Sequence, residues 1–341
     1  MALHFCNGNV LELAGLRSGH QRARHRMAIG HAVVFDRNRL VNRRISRLLS
    51  CAGVPVTAVE QPEQVAPAIS EATQLLCSDG FDIDLVLGEL KKHPQLRAML
   101  WSAEPTERLL KYTLEEPRMS NLIGRASFES SPRDWELGQV ARRLVDAGAG
   151  RPTWASILQW SHTAIELRPV TTRDRDTAVQ HTVSFVERIG VPKRIAEMFG
   201  ELAHEVLMNA MYDAPADESG KAKYAHDRKA ELSLLPAEVP TMVLATDGVR
   251  LVLDAVDPFG RLKRHHVFGG LLRGLKGGEM DTSHGGAGLG MTKLYQSVSV
   301  MMFDVEPGRR TEFTGVFELD MNLREFKTLA KSVHFFETSS A

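Results

Sequence analysis

Residues 28–150 alternate short apolar runs with helically spaced ones, and this alternation limits the fold more than any other feature of the chain. HAVVFD (31–36) has the make-up of a buried strand, and Ile45, Leu48 and Leu49 follow at helical spacing. VPVTAVE (54–60) is a second strand, and VAPAISEATQLL (65–76) returns to helical spacing. DIDLVLGEL (82–90), LRAMLWSA (96–103) and SNLIGRA (120–126) supply three further strands, and WELGQVARRLVDAG (135–148) closes the stretch as an amphipathic helix. Strand–helix alternation of this kind predicts a parallel sheet covered by helices.

AGAGRPT (147–153) has the composition of a linker. Beyond it, residues 154–325 begin with long helical spacing and continue as strands separated by glycine-rich loops, which predicts an α+β sandwich. The expected organisation is an N-terminal arm (1–27), an α/β domain (28–150), a second domain (154–325) and a peripheral tail (326–341). With 341 residues, the chain has room for both domains.

Formal net charge is zero, which excludes a general polyanion binder and disfavours nucleic acid as a partner. Arg17, Arg22, Arg24 and Arg26 form one basic cluster, read as a solvated arm. Three cysteines without metal-ligand spacing point to reduced thiols. No apolar run approaches the ~20 residues that span a bilayer, and no signal-peptide core is present, so a cytoplasmic protein is expected.

Three stretches of the second half carry chemistry. In KRIAEMFGELAHEVLMNAMYDAP (193–215), Glu201, Glu205 and Asn209 step by four along the border of an apolar helical stripe. There the Asn209 amide oxygen could ligate Mg²⁺ and the Glu205 carboxylate could polarise a hydroxyl; a solvated helix edge gives the same pattern. VRLVLDAVDPFGRL (249–262) ends an apolar strand at Asp257, whose carboxylate can accept a hydrogen bond from an exocyclic amine or simply close an Asp-Pro turn. In GGAGLGMTKLYQS (285–297), Gly286, Gly288 and Gly290 let backbone N–H groups approach an anion, and a helix starting near Leu289 would aim its N-terminus at it; a hinge is the other reading of such a loop.

Taken in order, these three stretches resemble the GHKL (histidine kinase-like) ATPase superfamily, in its anti-sigma-factor serine-kinase branch. The resemblance covers about residues 160–320, and AIELRPVTTRDRDTAVQHTVSFVERIGVP (164–192) is similar to that branch's first strand and helix. It implies ATP and Mg²⁺ as cofactors. Glu205 would be the general base, Asn209 the metal ligand and Asp257 the adenine reader. Gly260 would belong to the first glycine box, and Gly286, Gly288, Leu289 and Gly290 to the second. Thr311 and Thr314 would lie on the strand that closes the pocket. A protein partner in signalling is implied, with a homodimer left open. Either a serine/threonine kinase or a non-enzymatic ATP-dependent switch or scaffold would fit. The chain departs from the family in DPFGR, where Phe259 and Arg261 stand at glycine positions, and at Tyr212, where a His or Lys is usual. Lys276 is a candidate phosphate contact.

The first half resembles response-regulator receiver domains. Asp36 follows the first strand, Ser102 ends the fourth and Arg125 follows the fifth. DLVLGEL places Glu89 where receivers have the phospho-acceptor Asp, so the resemblance implies a pseudo-receiver in which Glu89 could pair with Arg125; a likeness of architecture alone is the other reading.

Overall fold

The computed structural model describes residues 30–146, 149–159, 161–217, 219–275 and 287–338. The basic cluster at 17–26, Lys276 and Gly286 lie outside the described residues. Five strands of the first half are parallel: β1 (His31–Phe35), β2 (Val56–Val59), β3 (Thr73–Asp79), β4 (Arg97–Ser102) and β5 (Asn121–Gly124). Their order is β2-β1-β3-β4-β5, with the switch point between β1 and β3. Helices α1 (Arg39–Cys51) and α5 (Asp134–Val145) pack on one face, and α2 (Val65–Ala68), α3 (Ile83–Lys92) and α4 (Leu110–Glu115) on the other.

Two elements here differ from the sequence expectation. TQLL (73–76), expected to finish a helix, instead opens β3, which is buried along nearly its whole length between β1 and β4. DIDLVLGEL, expected to be a strand, is α3, and its buried Ile83, Val86, Glu89 and Leu90 recur at helical spacing. Short apolar runs fit both periods, and the neighbouring elements decide between them.

In the second half, α6 (Trp154–Ile157) is a single turn, followed by β6 (Thr163–Leu167), α7 (Thr172–Arg188) and α8 (Lys193–Met208). Thr171 caps α7 in a reciprocal box with Asp174. Next come β7 (Thr241–Thr246), β8 (Arg250–Asp257), α9 (Arg264–Leu275), α10 (Ala287–Ser297), β9 (Val300–Glu306) and β10 (Arg310–Glu318). Helices α7 to α10 cover one face of these strands, and α6 sits on the other.

Instead of two sheets, the described residues form one mixed 11-stranded sheet, ordered β2-β1-β3-β4-β5-β11-β9-β10-β8-β7-β6. The join is the segment expected to be a peripheral tail. After α11 (Leu323–Thr328), β11 (Ser332–Glu337) pairs parallel with β9 along its whole length and antiparallel with β5 at Val333–Leu122 and His334–Asn121. VHFF is buried because both edges it fills would otherwise expose unpaired backbone. Gly124 is required at the join, since a Cβ there would collide with the Ala330 carbonyl. The buried His334 meets Glu136 of α5 at 2.8 Å and Asn121 of β5 at 3.2 Å. One apolar cluster runs from Val33 and Leu100 through Leu110 to Phe268, Phe303 and Phe335, so both halves share a core. Among the described residues no helix is long and apolar enough to cross a membrane.

Candidate functional site

Helix α8 buries Ile195, Phe199, Leu202 and Val206 and packs against α10, which leaves Glu205 and Asn209 at the border of its apolar face. The helix ends in a π turn, Asn209–Asp213, closed by the Ala214 N–H donating to the Asn209 carbonyl at 2.9 Å. Such wide turns re-aim side chains and recur at functional sites. Glu205, Asn209 and Asp213 all line a cavity of about 690 Å³, within the range of roughly 300–1,000 Å³ usual for small-molecule sites.

Asp257, the last residue of β8, lines the same cavity. It accepts the Phe259 N–H at 2.9 Å and is hydrogen-bonded by Thr311, its partner across β10. Burial raises its pKa above the usual aspartate value, and these hydrogen bonds pull it back. Met291, Leu294, Phe303 and Phe313 give the cavity apolar walls. Gly290, in the first turns of α10, completes it. A Cβ on Gly290 would strike the Glu205 carboxylate, so the glycine is what admits Glu205 to the helix N-terminal region.

The cavity thus gathers Glu205, Asn209, Asp257, Gly290 and Thr311 from four separate elements. Other expected residues sit elsewhere. Thr314 is three residues after Thr311 on a strand, hence on the opposite face, where its hydroxyl donates to the buried Asp254 at 2.7 Å. Gly260 has φ +62° and lies against the β9–β10 hairpin, where a Cβ would hit the Glu306 carbonyl. Leu289 is 52% exposed and outside the cavity lining. Gly288 lies in the first turn of α10.

The two departures from the family pattern both have structural work. The Arg261 guanidinium donates to the carbonyls of Ala214 at 3.2 Å, Asp213 at 3.3 Å and Gly220 at 3.0 Å, closing the C-terminal end of the π turn. Tyr212 is fully buried and donates to the Ala230 carbonyl at 2.8 Å, pinning the loop that carries Arg228.

Arg228 was not visible in the sequence pattern. Its Nη2 donates to Asn209 Oδ1 at 3.3 Å, and the same guanidinium forms an ion pair with Asp213. Asp213 could have been found by extending the Glu205–Asn209 step by four; Arg228 sits in an irregular loop without periodicity. Mg²⁺ requires near-octahedral oxygen ligands. Among the described residues no three His, Cys, Asp or Glu side chains are placed to hold a metal, and the Asn209 oxygen is engaged by Arg228. As the side chains stand, a metal could use the Asn209 oxygen only by displacing Arg228.

In the first half a second polar cluster sits at the carboxyl ends of the parallel strands, the usual ligand side of such sheets. Arg125 bridges Asp36 at 3.3 Å and Asp79, the last residue of β3. Trp101 donates to Asp36 at 3.0 Å. Glu89, expected at this place, belongs to α3 and pairs with Lys92 at 2.7 Å. The register change moves the strand-end acid from Glu89 to Asp79. Ser102 ends β4, and its hydroxyl accepts the Glu104 N–H.

No protein-family model matches the chain, and no curated protein does. Among solved structures, the SiaB–SiaC complex from Pseudomonas aeruginosa matches over 46% of this chain and 88% of the other, at 11% identity and a TM-score of 0.29. A likeness that weak fixes neither topology nor activity.

Proposed function

We propose that the second half binds an adenine nucleotide in the cavity between α8, β8 and α10, and that the bound nucleotide switches a surface used by a protein partner in signalling. The observation that carries this is the convergence of Glu205, Asn209, Asp257 and Gly290 on one apolar-walled cavity. An aspartate desolvated at the end of a strand is suited to accept from an amine that leaves water with it. The start of α10 brings a positive helix end to the same space. The order of the motifs and their likeness to GHKL ATPases supply the partner and the signalling role. A non-enzymatic switch is favoured over a kinase because Arg228 engages the amide oxygen that a catalytic metal would need.

The test is equilibrium titration with ATP and GTP. Asp257→Asn presents the wrong group to adenine and should weaken ATP by about 10- to 100-fold, the equivalent of one mismatched buried hydrogen bond. Equal ATP affinity in both proteins would contradict the adenine assignment. Glu205→Ala separates the two roles: partner regulation survives it in a switch, whereas a kinase loses about 10²–10⁴ of its rate.

A further inference from the structure

We propose that the Arg228 guanidinium takes the place of a divalent cation in the cavity, so that the nucleotide's phosphates are met by Arg228 and bind without Mg²⁺. The inference rests on the nucleotide reading and adds to it how the anion is held. Glu205, Asn209 and Asp213 present two carboxylates and an amide oxygen along one edge of α8 and its π turn. That set attracts a cation, and the chain supplies one. Arg228 Nη2 reaches Asn209 Oδ1 at 3.3 Å, Nε reaches Asp213 at 3.2 Å, and Nη2 also contacts Asp213.

Bonds on both sides hold the guanidinium plane in one orientation. Nε and Nη2 are the engaged nitrogens, and Nη1 has no hydrogen-bond partner among the described residues, so it is the donor that a phosphate oxygen can take. A planar guanidinium suits oxyanions, cannot lose its proton near neutrality and is more weakly hydrated than an ammonium. The loop bearing Arg228 is anchored by Tyr212, whose hydroxyl donates to the Ala230 carbonyl two residues on. Formal charge in the lining is balanced, with Arg228, Arg261 and Arg273 against Glu205, Asp213 and Asp257. A metal inserted here would have to displace Arg228 from both of its partners.

The experiment titrates ATP into the full chain by calorimetry, once in excess EDTA and once in saturating MgCl₂. The wild type should bind with affinities within about threefold of each other. Arg228→Met should bind at least about tenfold more weakly in EDTA, the loss expected for a charge-assisted hydrogen bond. It should recover part of this in MgCl₂, because Asn209 and Asp213 are then free. Mn²⁺ titration followed by electron paramagnetic resonance gives a second readout: the ATP complex of Arg228→Met should take up Mn²⁺ more tightly than that of the wild type. Wild-type binding that requires Mg²⁺ would overturn this inference and leave the nucleotide reading standing. Unchanged ATP affinity of Arg228→Met in EDTA would overturn it as well. Absence of ATP binding in both buffers would overturn both readings together.

Discussion

Asp36 and Asp79 are buried carboxylates that share one guanidinium, that of Arg125. Burial is the largest influence on Asp79 and raises its pKa; the Phe81 N–H and Arg125 oppose it. Removing Arg125 would leave two like charges desolvated and close together. Arg125→Ala should therefore destabilise the protein by about 3–5 kcal/mol. Glu89→Ala should cost less, because Glu89 is buried but its partner Lys92 is exposed, so removing the carboxylate leaves no buried charge unpaired. Urea denaturation of both variants checks the pair, and equal losses would contradict the assignment of Asp79 rather than Glu89 to the strand-end cluster. The meeting of Glu205, Asn209 and Asp257 at one cavity was legible in the sequence because each stands at a position that local periodicity defines: a helix edge or the end of a strand. Arg228 and Asp79 were not. Arg228 acts from a loop 15 residues beyond its partner Asp213. Asp79 lies in a run whose period is ambiguous until β1 and β4 flank it.

Strand β11 shows the same limit at the scale of an element. SVHFFE reads as a short apolar stretch near the chain end, and nothing local reveals that it fills the gap between β5 and β9. Its position is fixed by long-range pairing, which single-sequence patterns do not carry. Thr106, before α4, donates to the Lys331 carbonyl at 2.8 Å and contacts the Tyr295 hydroxyl of α10 at 2.7 Å, so the approach to β11 touches both halves. Lys331 itself is buried, with Nζ donating to the Val298 carbonyl at 2.9 Å and lying 3.4 Å from the centre of the Phe326 ring. Burial pushes its ammonium down to about 7. In the unfolded chain a lysine titrates near 10.4. Between these values the unfolded state holds one more proton than the folded state, so on this group's account stability rises with pH from about 7 to about 10. Below about 7 both states are protonated and the cost of burying the charge is present in full. Urea midpoints measured across this window should climb less steeply for Lys331→Met than for the wild type. Parallel slopes would contradict the account.

Over the whole molecule, one sheet and one shared core make the two halves a single structural body, although their sequence patterns are those of separate domains. The grammar of each half was legible, because strand–helix alternation and glycine-separated strands are local signals; the fusion was not, because it depends on β11 and on α4 packing against α9. Arg264 of α9 donates to the carbonyls of Thr113 and Leu114 at the end of α4, which ties a wall of the cavity to the first half. The proposed function turns on an adenine nucleotide in the cavity between α8, β8 and α10. Hydrogen–deuterium exchange with and without saturating ATP locates the ligand directly. Exchange should slow at Glu205–Asp213, at Ala255–Leu262 and in the first turns of α10, with smaller changes on β1 and β2, which lie far across the sheet. Protection concentrated on the first-half strands, or no change at saturating ATP, would contradict it.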